Sequence, residues 1–122
     1  MDGYDFNDTV TAWFERPPTV LVLERSGQNA LDFQTQKVGI ISAHLKPESG
    51  VTNMVTEDEI NHLKDVEVDL RSRHPTLDDV IIAGDFNADC DYVRDPQDLT
   101  LFSSGENTWL ISFDDDTTVK RN

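Results

Sequence analysis

Gly84-Asp85-Phe86-Asn87 sets a carboxylate and a carboxamide two positions apart, directly after the apolar run Val80-Ile81-Ile82-Ala83. At strand spacing, positions i and i+2 point to the same side. Asp85 then suits a hard cation such as Mg2+, which takes oxygen ligands and often only one or two carboxylates. Asn87 offers a neutral oxygen and a donor, which can hold a phosphate oxygen without adding repulsion. The same residue types are favoured in turns, so Asp-x-Asn alone also admits a plain turn. His44 ends a second apolar run, and an imidazole titrates close enough to neutrality to act as a general acid or base. Histidines at such positions are more commonly structural. Arg16 precedes a strand, and its planar fork matches phosphate, although a lone surface arginine is ordinarily just solvated. Tyr92 can contact a sugar or simply pack. Asp114-Asp115-Asp116-Thr117-Thr118 can offer oxygens to Ca2+, but it does not match the twelve-residue helix-loop-helix calcium loop. His62 and His74 are assigned no role.

The elements that must position these residues follow from pattern. Residues 1–12 read as polar and irregular. Arg16-Pro17-Pro18 cannot start a helix interior and fits the approach to a strand. Thr19-Val20-Leu21-Val22-Leu23 is almost wholly apolar, as for a strand covered on both faces. Ser26-Gly27-Gln28-Asn29 reads as a turn. A strand over 37–44 carries Val38, Ile40 and Ile41, and Pro47-Glu48-Ser49-Gly50 ends it. Thr56 and Glu59 have the capping-box spacing. Ile60, Leu63, Val66 and Leu70 then share one helical face, and His74-Pro75 closes the helix. A short strand, Val80 to Ala83, leads into the Gly-Asp-Phe-Asn segment, and a last strand is expected around Trp109-Leu110-Ile111. The order strand, strand, helix, strand, strand predicts an α/β arrangement with a helix covering a sheet. Polar sites in such folds follow strand ends.

Composition sets the bounds. The 122 residues carry a formal net charge of -14, and 37% are hydrophobic. A core is possible but not generous. The acidic balance repels polyanions at long range, unless bound divalent cations invert the local field. It favours metal binding or solubility and does not exclude a nuclease. No apolar run approaches the ~18 residues needed to span a bilayer, and the acidic start has no signal-peptide pattern. The lone Cys90 fits a reduced thiol or a cysteine whose partner lies elsewhere.

Taken together and in this order, the segments resemble the deoxyribonuclease I family. Gly84-Asp85-Phe86-Asn87-Ala88-Asp89-Cys90-Asp91-Tyr92-Val93 is similar to its signature. Phe14-Glu15-Arg16-Pro17-Pro18 resembles its phenylalanine-x-arginine segment. Ala43-His44-Leu45-Lys46-Pro47-Glu48 resembles its catalytic-histidine segment. Asn107-Thr108-Trp109-Leu110-Ile111, with Asp116-Thr117-Thr118-Val119-Lys120, resembles the stretch before its second cysteine. The resemblance implies part of a four-layer α/β/β/α sandwich, truncated at both ends, with residues 1–122 joining the end of the first half to the start of the second. It implies hydrolysis of phosphodiesters in DNA, with Mg2+ for chemistry and Ca2+ for loops. Under it, His44, Asp85 and Asn87 are catalytic, and Asp85 and Asn87 adjoin Mg2+. Arg16 and Tyr92 contact the backbone and minor groove, Asp116 and Thr118 hold Ca2+, and Cys90 is half of a disulfide. It also implies secretion, low sequence specificity, and actin as a partner of some members.

The resemblance also implies missing parts. The family's metal-binding glutamate would precede Met1, and its second histidine and two catalytic aspartates would follow Asn122. A second calcium site near Asp2, Asp5 and Asp8 is not expected, because the loop length differs and Pro17 stands where relatives often carry glutamate. The expectation is therefore a fragment inactive by itself, with one sheet face lacking its partner. Burial is worth roughly 25 cal/mol per Å2 against a total stability of only ~5–15 kcal/mol. The isolated chain is thus expected to be unstable or to associate through that face. The competing expectations are another phosphoesterase of the same fold and a non-catalytic calcium- or protein-binding remnant.

Overall fold

A computed structural model describes residues 1–7, 9, 12–25, 36–47, 55–88, 93 and 99–111. Its elements are β1 (Asp2–Asp5), β2 (Thr19–Arg25), β3 (Gln36–His44), α1 (Val55–Arg73), β4 (Asp79–Asp85) and α2 (Thr100–Ser103). The strands form one sheet in the order β1-β2-β3-β4. β1–β2 and β2–β3 are antiparallel, while β3 and β4 are parallel. A parallel pair needs a crossover connection, and α1 lies within the one between β3 and β4. The fold is thus mixed α/β, with the helix against the sheet.

The helix sequence explains this packing. Ile60, Leu63, Val66 and Leu70 recur at helical spacing and are all fully buried. They meet the sheet face that carries Val20, Val22, Ile41 and Ala43. Gly39 belongs to the same face. A Cβ there would lie 2.6 Å from Leu70 Cδ2, so the missing side chain lets the helix approach the sheet closely. The strand pleat sends alternate residues to the opposite face. On that face Leu23 and Ile81 are 42% and 46% exposed. The expectation that β2 is covered on both faces is therefore corrected: among the described residues only the helix side is covered.

Other expectations change for local reasons. Residues 2–5 are not irregular. They pair with β2, with Tyr4 opposite Val20, because an extended segment beside an open edge gains its backbone partners there. β2 runs on through Glu24 and Arg25, which face Lys37 and Gln36 of β3. β4 runs on through Gly84 and Asp85. The expected strand at Trp109-Leu110-Ile111 is absent: these residues are in no strand, and Leu110 is 86% exposed. Apolar pattern alone does not make a strand unless another strand pairs with it. A short helix, α2, precedes them instead, with the Thr100 N–H donating to Asn61 Oδ1 at 2.9 Å.

The helix start is also corrected. Thr56 lies inside α1 rather than before it. Its hydroxyl donates to the Lys46 carbonyl at 2.6 Å. Glu59 turns both carboxylate oxygens outward to other segments, accepting from the Glu15 N–H and the Lys46 N–H, each at 2.7 Å. The spacing that suggested a capping box serves tertiary tethers. The turns expected at 26–29 and 48–50 lie outside the described residues.

Candidate active site

β3 and β4 end side by side, and their last paired residues are His44 and Asp85. Neighbouring strands lie only ~4.8 Å apart, so the register sets the backbones of His44 and Asp85 side by side from distant parts of the sequence. Ala43 is buried against the helix layer while His44 is exposed, as alternation requires. Both His44 and Asp85 are open to solvent.

Gly84 makes this adjacency possible. Its φ is +141°, and a Cβ there would stand 1.9 Å from the Ala43 carbonyl oxygen. Only glycine allows the two backbones to approach so closely. The strand pairing continues one step past it, with the Leu45 N–H donating to the Asp85 carbonyl at 2.9 Å.

Asn87 does not sit at strand spacing from Asp85, so the same-side argument fails. Its φ is +48°, a left-handed conformation that asparagine tolerates better than most residues. The turn brings the Asn87 N–H to Asp85 Oδ1 at 3.1 Å, while Asn87 Nδ2 donates to the Leu45 carbonyl at 2.8 Å. The side chain thus folds back onto the backbone that leaves His44. Its Oδ1 takes no hydrogen bond among the described residues. The turn is what brings Asn87 back beside Asp85.

Arg16 is exposed on the lead into β2. It joins this neighbourhood through its predecessor, since the Glu15 carboxylate pairs with Lys46 Nζ at 2.7 Å. The hydrogen bond from Lys46 holds the Glu15 carboxyl below its ordinary value. The residue that sequence reasoning placed wrongly is Glu59. It was read as a helix cap, yet it is 1% exposed and joins the Arg16 and His44 segments. A glutamate on the buried face of an amphipathic helix, beside Ile60, was the available signal.

His62, given no role, stacks on Trp13 with ring centroids 4.3 Å apart and accepts or donates a 2.9 Å hydrogen bond with Asp65. His74 lies 3.5 Å from the Asp2 carboxylate. Neither of these contacts involves His44 or Asp85. Tyr92, Cys90, Asp116 and Thr118 lie outside the described residues. Among the described residues no group of three or more histidine, cysteine, aspartate or glutamate side chains could hold a metal ion, and no helix is long and apolar enough to cross a membrane.

The fold and site define an α/β protein with its polar residues at the ends of a parallel strand pair. No family model matches the chain. Among curated proteins it is 35% identical to deoxyribonuclease gamma of Mus musculus over 120 residues, which is 97% of this chain and 35% of that protein. It is 32% identical to deoxyribonuclease-1 of Bos taurus over 125 residues, covering 98% of this chain and 40% of the relative. Deoxyribonuclease gamma of Homo sapiens is 32% identical over 120 residues, covering 97% and 35%. The chain is thus similar to members of the deoxyribonuclease I family, and it spans little more than a third of the length of these relatives.

Proposed function

We propose that this chain supplies part of the active centre of a metal-dependent endonuclease that hydrolyses phosphodiester bonds in DNA. The observation that carries the reading is the pairing of His44 with Asp85 at the adjoining ends of β3 and β4, with Asn87 folded against them. Kinship with deoxyribonucleases supports the choice of DNA.

In this reading His44 transfers the proton that hydrolysis requires, either from the attacking water or to the leaving 3′ oxygen. Asp85 and the free Asn87 Oδ1 are oxygen donors of the kind a hard cation takes, and Mg2+ commonly fills its remaining positions with water and substrate oxygens. The residues present therefore fit a Mg2+ site whose other ligands come from elsewhere. When bound, the ion supplies charge stabilisation at the scissile phosphate. Arg16 would grip a backbone phosphate through its planar fork, and Tyr92 would reach the minor groove. Contacts of this type fix register without reading sequence, so cleavage would be only weakly sequence-selective. Asp116 and Thr118 would bind Ca2+, Cys90 would pair with a cysteine outside this chain, and the protein would be secreted. The uncovered face of β2, β3 and β4 would be the inner surface of an α/β/β/α sandwich. Actin, which the resemblance implies for some members, would be a further partner.

Plasmid nicking by the complete protein tests the proposal, with phosphoinositide hydrolysis as the competing reaction. Nicking that needs Mg2+ and falls about 10^2- to 10^4-fold in His44→Ala supports it. Nicking unchanged by that substitution, or hydrolysis of phosphoinositide in its place, refutes it.

A further inference from the structure

Glu59 is a buried carboxylate that the proposed chemistry does not use. It stands on α1, yet its two oxygens are spent on two other segments: Oε1 accepts from the Glu15 N–H and Oε2 from the Lys46 N–H, each at 2.7 Å. Glu15 directly precedes Arg16, and Lys46 follows His44 by two residues. The tie is repeated around it. Lys46 Nζ pairs with Glu15 at 2.7 Å, and Thr56, from the same turn of α1, donates to the Lys46 carbonyl at 2.6 Å. Hydrogen bonds to an ionised acceptor are short and about twice as strong as neutral ones. A carboxylate has an acceptor for each amide. A carboxamide has one acceptor and would turn its NH2 toward the other N–H, and an aspartate lacks the reach to hold both.

We propose that Glu59 is a positioning residue that clasps the Arg16 segment to the His44 segment, setting the phosphate-gripping arginine at a fixed offset from the proton-transferring histidine. The inference rests on the nuclease reading above for the roles of Arg16 and His44, and on the geometry alone for the clasp. Its reach is functional because a small misplacement of a positioned group weakens catalysis steeply.

The test uses the complete protein with Glu59→Gln, Glu59→Asp, Arg16→Ala and the Glu59→Gln/Arg16→Ala double variant, each assayed below its unfolding temperature. Amide hydrogen exchange at Glu15 and Lys46 is read beside kcat and KM for Mg2+-dependent plasmid nicking. In Glu59→Gln both amides should lose protection together, and kcat/KM should fall at least tenfold, about 1.4 kcal/mol of transition-state stabilisation. Arg16→Ala should then cost less in the Glu59→Gln background than in the parent, because coupled residues are not additive. If Glu59→Gln does not fold, Glu59→Asp is read by the same criteria. A folded variant with parental kcat/KM, or with additive effects, overturns the proposal and leaves Glu59 a stability residue only. A parent protein that does not nick DNA sinks the nuclease reading. The exchange data then decide the clasp: joint deprotection upholds it, and retained protection of either amide overturns it.

Discussion

Replacing Gly84 with alanine is the sharpest test of how the site is held. The added Cβ would stand 1.9 Å from the Ala43 carbonyl oxygen, 2.8 Å from its carbon and 2.9 Å from its nitrogen. Carbon and oxygen rest in contact at about 3.3 Å, so the two strands must separate by more than an ångström at this point. The atoms in the way are backbone, which cannot rotate aside. Gly84 also has a φ of +141°, and holding a residue other than glycine in sparsely populated backbone costs of order 1–3 kcal/mol. Gly105 provides a positive-φ reference site without a steric clash. Its φ is +69°, and an added Cβ there meets nothing within 4 Å. Gly105→Ala should therefore cost only about 1–2 kcal/mol. Gly84→Ala should exceed it by at least about 2 kcal/mol, the scale of overpacking a filled site. Urea unfolding of both variants in the complete protein measures the difference, and nicking assays report whether the His44–Asp85 register survives. Equal costs for the two substitutions would refute the close-approach argument.

Two titrations test the helix face that docks β1 and the network beside it. Burial, and then the Asp69 carboxylate, push the Tyr4 hydroxyl up to about 12 from its ordinary 10. The tyrosine donates to Asp69 Oδ2 at 3.2 Å while Arg73 lies over its ring. Because the folded value is raised, this contribution to stability is complete below pH 10 and is lost as pH rises through 12. Subtracting the ultraviolet titration of Tyr4→Phe from that of the parent should isolate a step near 12, and a step at the ordinary value would contradict the geometry. Burial would by itself raise the Glu67 carboxyl, but hydrogen bonds from Arg71 and Lys64 outweigh it and hold the group below 4.5. Its stabilising contribution is present above that ordinary value and is lost as pH falls through the lower folded one. Urea midpoints measured from neutral to acid pH should fall less in Glu67→Gln than in the parent, and parallel curves would rule the network out as a source of acid sensitivity.

The elements were legible where one physical pattern dominated. Ile60, Leu63, Val66 and Leu70 announced the helix because a buried face must recur with the helical period. Val38, Ile40 and Ile41 marked β3 because apolar strand residues have few other places to go. Long-range geometry was not legible. Nothing local tells that β3 and β4 are neighbours in a register pairing His44 with Asp85. Glu59 was misread because Thr56-x-x-Glu59 has one spacing and two possible sets of partners. Only the packed fold reveals that Glu15 and Lys46 offer the donors. Asp2–Asp5 was missed because its pairing partner, β2, rather than its own composition, makes it a strand. Trp109-Leu110-Ile111 was over-read for the converse reason: its residue types favour a strand, but no strand among the described residues pairs with it.

The pleat of β3 also constrains how this sequence can change in length. Ile41 and Ala43 point into the helix layer, while Ser42 and His44 point away. A single inserted or deleted residue between Val38 and Ala43 would exchange the two faces beyond it. It would drive either a histidine into the apolar layer or the site off Asp85. A two-residue change would preserve facing but shift the register with β4. Length variation in this part of the gene should therefore be purged almost irrespective of which residues are gained or lost, whereas substitutions that preserve spacing remain open to drift. The strand behaves as a parity check on its own reading frame.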